Sequence, residues 1–171
     1  MRVRPYLTDT SPTGAAWVRG PSKLLGSGLG VGIIAAMLYM ATMYFIPPNR
    51  DMEQYGQLAK MAVTPGIQQM TWVCILLVSP FFEELLFRGV LYGGFRHSYG
   101  PVWAAVLTTG IFWVLHLQEM IHYWPSMILI LGVAVLALWF RVRTATIGPA
   151  VALHLGYNAT LGAVMVLSTR A

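Results

Sequence analysis

The chain has 171 residues, 57% hydrophobic and 10% charged, with 11 Lys and Arg against 6 Asp and Glu for a net charge of +5; its mean hydropathy is +0.63. Soluble domains run at about 45–50% apolar and about 25% charged, so the composition excludes a disordered chain, a nucleic-acid-binding domain and an ordinary soluble enzyme. An all-α, polytopic integral membrane bundle is predicted, with the positive charge serving membrane topology and no nucleic acid as partner.

The first apolar run, Leu24 to Ile46, carries no charge, is long enough to cross about 30 Å of hydrocarbon, and stops at Pro47-Pro48. Arg2, Arg4, Arg19 and Lys23 precede it like a signal-peptide n-region. The run is nevertheless about twice the length of a cleavable h-region and no A-x-A site follows, so a retained anchor is expected. The connection from Pro47 to Gly66 mixes Asp51, Glu53 and Lys60 with Tyr55 and Leu58, which suits a short interfacial helix. A second run begins near Gln69, passes straight through Glu83-Glu84 and is expected to end around Gly93-Gly94. Further spans are expected from Pro101 to about Leu117, from Pro125 to Phe140, and from about Ala145 to Leu167.

Five spans are thus predicted, within a range of four to six, as one domain: a tail over 1–23 and a transmembrane catalytic region over 24–168. Arg2, Arg4, Arg19, Lys23, Arg96, Arg141 and Arg143 fall on one side, against Arg50, Lys60 and Arg170 on the other. That bias puts the N-terminus in the cytoplasm and the C-terminus outside. Cys74 sits in an apolar run and reads as a small hydrophobe, and Gly26, Gly28, Gly30 and Gly32 read as helix-packing positions. His97 beside Arg96 is expected in a solvated turn, and Glu119, His122, Tyr123 and Trp124 in an interfacial belt.

Ionisable groups at a helix centre in a bilayer cost on the order of 2.5–3.5 kcal/mol each. Glu83, Glu84 and Arg88 nevertheless occupy the second span, His116 the third, and His154 with Asn158 the fifth. Such groups default to a functional reading, facing a bundle interior or a wet cavity. Glu84 and Arg88, four apart with the acid first, suit an intrahelical ion pair. Glu83 is rotated by about 100° from Glu84 and is expected to have no partner in its own helix. Ser79 is expected to bond back to its helix. Both aspartates, Asp9 and Asp51, lie outside the spans, so no Ser-His-Asp arrangement is suggested. What remains is a carboxylate acting as general base on water with a His beside it, and His and Asn as donors to an oxyanion. A zinc site built from Glu83, His116 and His154 is the alternative, although no H-E-x-x-H occurs.

Glu83-Glu84-Leu85-Leu86-Phe87-Arg88 matches E-E-x-x-x-R, Phe112-x-x-x-His116 matches F-x-x-x-H, and His154-x-x-x-Asn158 matches H-x-x-x-N. In this order, on successive apolar segments, they resemble the motifs of the CPBP intramembrane endopeptidases, the type II CAAX prenyl protease-like or Abi group. The resemblance implies a glutamate-dependent intramembrane protease in a prokaryotic plasma membrane. Glu83 would activate water with His116, His154 and Asn158 would stabilise the oxyanion, and Glu84, Arg88 and Phe112 would support the site. It implies a membrane-anchored peptide or protein substrate: a CAAX-type prenylated C-terminus, a peptide precursor or a C-terminal sorting signal. No cofactor is expected, although older descriptions of the family call it a metalloprotease. The rivals are a catalytically idle immunity or scaffold protein and a small proton-coupled carrier. One mismatch stands in this reading: counted along their spans, His116 falls near the outer leaflet while Glu83 and His154 fall nearer mid-depth.

Overall fold

The computed structural model describes residues 22–47, 61, 64–121 and 123–168. Among them every regular element is helical, as the composition predicts. Among the described residues four helices are long and apolar enough to cross a membrane, one fewer than the five expected. The first is α1 (Ser22–Phe45). The second, α2, occupies residues 67–115 without a loop, through Ile67–Val73, a π-helical stretch Cys74–Val78, Ser79–Glu84, a second π-helical stretch Leu85–Leu91, and Tyr92–Leu115. A short α3 (Leu117–Ile121) then leads to α4 (Trp124–Thr144) and α5 (Gly148–Ser168).

The difference in count comes from a bend. Gly93 and Gly94, expected to end the second helix, stay helical, and the chain turns at Gly100 instead, where φ is 81° and ψ 172°. Pro101 disfavours a helical conformation in the residue before it, and glycine takes a positive φ at little cost. No proline follows Gly94, so nothing there stops the helix. After the bend the chain runs back along itself. The rings of Phe87 and Phe112 lie 5.0 Å apart, and Tyr92 shares a core cluster with Ala104; in a straight helix residues 87 and 112 would be about 37 Å apart. The bend also removes the mismatch in depth. Counted from Gly100, Glu83 and His116 sit nearly equally far along the two legs, about 25 Å.

Pro80 accounts for the first π-helical stretch. It has no N–H to give and its ring crowds the carbonyl of Leu76, so the turn before it widens over Cys74–Val78.

Helices α1 and α5 run parallel in close contact. A Cβ on Gly28 would collide with the carbonyl oxygen of Pro149, one on Gly32 with that of Leu153, and one on Gly156 would lie 2.6 Å from that of Leu29. Lipid tails give apolar side chains no reason to leave them, so membrane helices associate where small residues let backbones approach. Gly26 and Gly30 face open space and take no part in this seam. Around it pack Ala36, Tyr39, Val133, Ala137, Leu153 and Tyr157. Tyr123 belongs to the same cluster: it is buried, and its hydroxyl donates to the Ile46 carbonyl at 2.9 Å. It is therefore a core residue and not part of an interfacial belt, whereas Trp124 is exposed. The expected N-terminal tail, the interfacial helix over Asp51–Lys60, His122, Arg170 and the side chain of Glu119 lie outside the described residues.

Candidate active site

The site is assembled on a buried ion pair. Glu84 and Arg88 meet at 3.0 Å, with side chains 0% and 1% exposed. Arg88 Nη2 donates to the Ala134 carbonyl at 2.9 Å, and its guanidinium lies 4.5 Å from the centre of the Phe112 ring. One cation thereby joins both legs of α2 to α4. The other side chain sharing the pair is His154, whose Nδ1 bonds Glu84 Oε1 at 3.0 Å and so adds α5. The spacing of Glu84 and Arg88 predicts their pairing; the link to His154 crosses between helices, and no spacing within one helix reports it.

Glu83 points away from this pair into a cavity of about 290 Å³. Its Oε1 accepts from Ser79 Oγ at 2.5 Å. This corrects one expectation, since Glu83 does have a partner in its own helix; Ser79 bonds back to that helix as expected, through the Glu83 side chain. The two are one turn apart, and the short hydroxyl reaches along the face they share. The second oxygen, Oε2, is buried and has no hydrogen-bond partner. It lies 3.7 Å from His116 Nε2 and 3.9 Å from His154 Nε2.

Both imidazoles are oriented from behind. His116 follows the last helical residue of α2, with φ −92° and ψ 10°, and its ring stacks on Phe112 at 4.3 Å. Its Nδ1 lies 2.8 Å from the Phe112 carbonyl, which can only accept, so Nδ1 carries the proton. His154 Nδ1 in the same way faces an acceptor, the Glu84 carboxylate. In the neutral ring each His then turns the lone pair of Nε2 towards Glu83 Oε2. Asn158, one turn after His154, lines the same cavity. The seven residues singled out from the sequence are thus gathered around one cavity and the buried pair behind it.

Three hydroxyl-bearing lining residues were missed. Tyr157 comes from α5, but Tyr39 and Ser126 come from α1 and α4, so the cavity involves more helices than α2 and α5, which carry the motifs. Tyr39 Oη and Ser126 Oγ are 3.3 Å apart. A hydroxyl in each apolar run was the available signal, and it is weak, because single Tyr and Ser residues are common in membrane helices.

Zinc holds its ligands at about 2.0–2.1 Å in a tetrahedron, which sets neighbouring donors roughly 3.3 Å apart. Glu83 Oε2 lies farther than that from the Nε2 atoms of His116 and His154, at 3.7 and 3.9 Å, and among the described residues no group of three His, Cys, Asp or Glu side chains has a metal-holding arrangement.

A model of the family described as type II CAAX prenyl endopeptidase Rce1-like matches residues 66–160, which include all three motifs. No curated protein and no solved structure matches the chain. With more than half its length inside the family match, and the buried pair, paired histidines and apolar helices in place, the chain belongs to the Rce1-like family of type II CAAX prenyl endopeptidases, a family of membrane-embedded proteases.

Proposed function

We propose that this chain is an intramembrane endopeptidase in which Glu83 activates water against a peptide carbonyl of a membrane-anchored peptide or protein. The observation that carries this reading is Glu83 Oε2: buried, unbonded, and flanked by two imidazole nitrogens across gaps of 3.7 and 3.9 Å. Such gaps exceed a hydrogen bond, and a water drawn in from the cavity would bridge them once the side chains part to receive it. Attack transfers a proton of that water to Glu83 as its oxygen bonds the carbonyl carbon, and the carbonyl electron pair moves to oxygen. His154, oriented through Nδ1 by Glu84, donates from Nε2 in its imidazolium form to that oxyanion together with Asn158. Collapse breaks the C–N bond, and the proton held by Glu83 passes to the leaving amine with His116 at hand to relay it. Glu84, Arg88 and Phe112 keep the histidines in place.

The substrate follows the family only in outline: a CAAX-type C-terminus, a peptide precursor or a C-terminal sorting signal. The charge bias supports an N-terminus in the cytoplasm, and the membrane is proposed to be a prokaryotic plasma membrane. An idle scaffold has no use for a costly unpaired carboxylate, and a carrier built without an internal repeat is an unusual plan.

A mass-spectrometric census of membrane-protein termini in cells carrying the parent or Glu83→Gln tests the reading. Termini that disappear with Glu83→Gln, while the variant melts like the parent in detergent, are the expected result. Identical termini, with both proteins folded and present, would overturn it in favour of the scaffold. Chelator is expected to leave cleavage intact; loss restored by zinc would return Glu83, His116 and His154 to the role of ligands.

A further inference from the structure

The cavity is one-sided. Tyr39 lies in the second half of α1, Trp72 and Ser79 precede Glu83 on α2, Ser126 opens α4, and Leu161 and Met165 lie beyond Asn158 on α5. All six are displaced towards the same end of the bundle, the end away from the Gly100 bend. In the other direction the described residues close the way in layers. Glu84 and Arg88 come first, fully buried, with Phe87, Phe112 and Ala134 packed around them. Tyr92, Ala104 and Leu138 follow. Last, Arg141 Nε donates to the Arg88 carbonyl at 2.9 Å, and its guanidinium lies 5.9 Å from the centre of the Tyr92 ring.

That closed end is the cationic one. It carries the bend just after Arg96, the last turn of α4 with Arg141 and Arg143, and, through the contact of Gly28 with Pro149, the start of α1 beside Lys23. Short segments rich in Lys and Arg stay in the cytoplasm. We infer that the substrate reaches Glu83 from the outer, non-cytoplasmic side. Its class is then a membrane-anchored peptide whose scissile bond lies at the outward end of its apolar segment. A prenylated cysteine at a cytoplasmic C-terminus cannot present its bond there. Trp72, Ile75, Leu76 and Leu161 make the walls apolar, which suits aliphatic side chains beside the cleaved bond. The substrate class rests on the Glu83 reading; the side of entry rests on packing and charge alone.

Thiol accessibility tests it. Cys74→Ser removes the single cysteine. On that background Leu161→Cys and Met165→Cys probe the cavity, and Arg143→Cys probes the closed end. A charged methanethiosulfonate reagent, unable to cross the bilayer, is added to intact cells and to inside-out vesicles. The expected result is modification of the two cavity positions in cells but not in vesicles, and the reverse for Arg143→Cys. Cavity positions modified only in vesicles, in both preparations or in neither would overturn the inference; if Leu161→Cys fails to fold, Met165→Cys decides. Loss of cleavage in Glu83→Gln is scored separately, so the side of entry and the catalytic reading can fail independently.

Discussion

Glu83 and Glu84 are neighbours in sequence and opposites in setting. Glu84 is fully buried, with Arg88 and His154 at 3.0 Å each. Glu83 is partly exposed to a cavity, held at one oxygen by Ser79 and open at the other. Two substitutions separate the roles these settings suggest. Arg88→Ala strands a buried carboxylate, a change worth about 3–5 kcal/mol, and should lower the melting temperature in detergent along with activity; a variant as stable as the parent would refute the structural assignment. Ser79→Ala removes one hydrogen bond of about 1 kcal/mol and leaves Glu83 free to rotate. It should lower kcat by roughly fivefold, with KM and melting temperature nearly unchanged. At this scale the sequence was legible for the motif pairs that share a helix face: Glu84 and Arg88, Phe112 and His116, and His154 and Asn158. It was silent where a contact depends on which helices meet, as for His154 with Glu84, or on a rotamer, as for Ser79 with Glu83.

Helices α1, α4 and α5 were legible as uninterrupted apolar runs, within a few residues at each end. The two legs of α2 and the return from Pro101 were legible too, but the end of the first leg was set about six residues early, because Gly93 and Gly94 were read as the stop in place of Gly100. What ranks Gly100 above them is Pro101, whose ring acts on the residue before it. The glycines of α1 pose the same problem, since four look alike and the structure puts only Gly28 and Gly32 against a neighbour. That difference is testable. Gly32→Leu should push α1 off α5 and sharply reduce the monodisperse protein recovered in detergent, whereas Gly30→Leu, facing open space, should be recovered like the parent. Equal recovery of the two would mean that the seam contributes nothing to folding.

At the scale of the molecule, the family match begins at residue 66 and leaves α1 outside. Yet α1 supplies Tyr39 to the cavity wall and packs by its backbone against the helix that carries His154 and Asn158. A version trimmed to the matched region would therefore lose one side of its site. The parallel seam has a consequence for how the chain can be cut. Its contacts are between two helices that each satisfy their own backbone hydrogen bonds in lipid, and none of them depends on the peptide link between α1 and α2. The first helix can be regarded as a subunit that happens to be covalently attached. Expressed in one cell as two genes, 1–52 and 53–171, the pieces should find each other in the bilayer and restore cleavage by complementation. Gly32→Leu in the short piece should abolish the rescue.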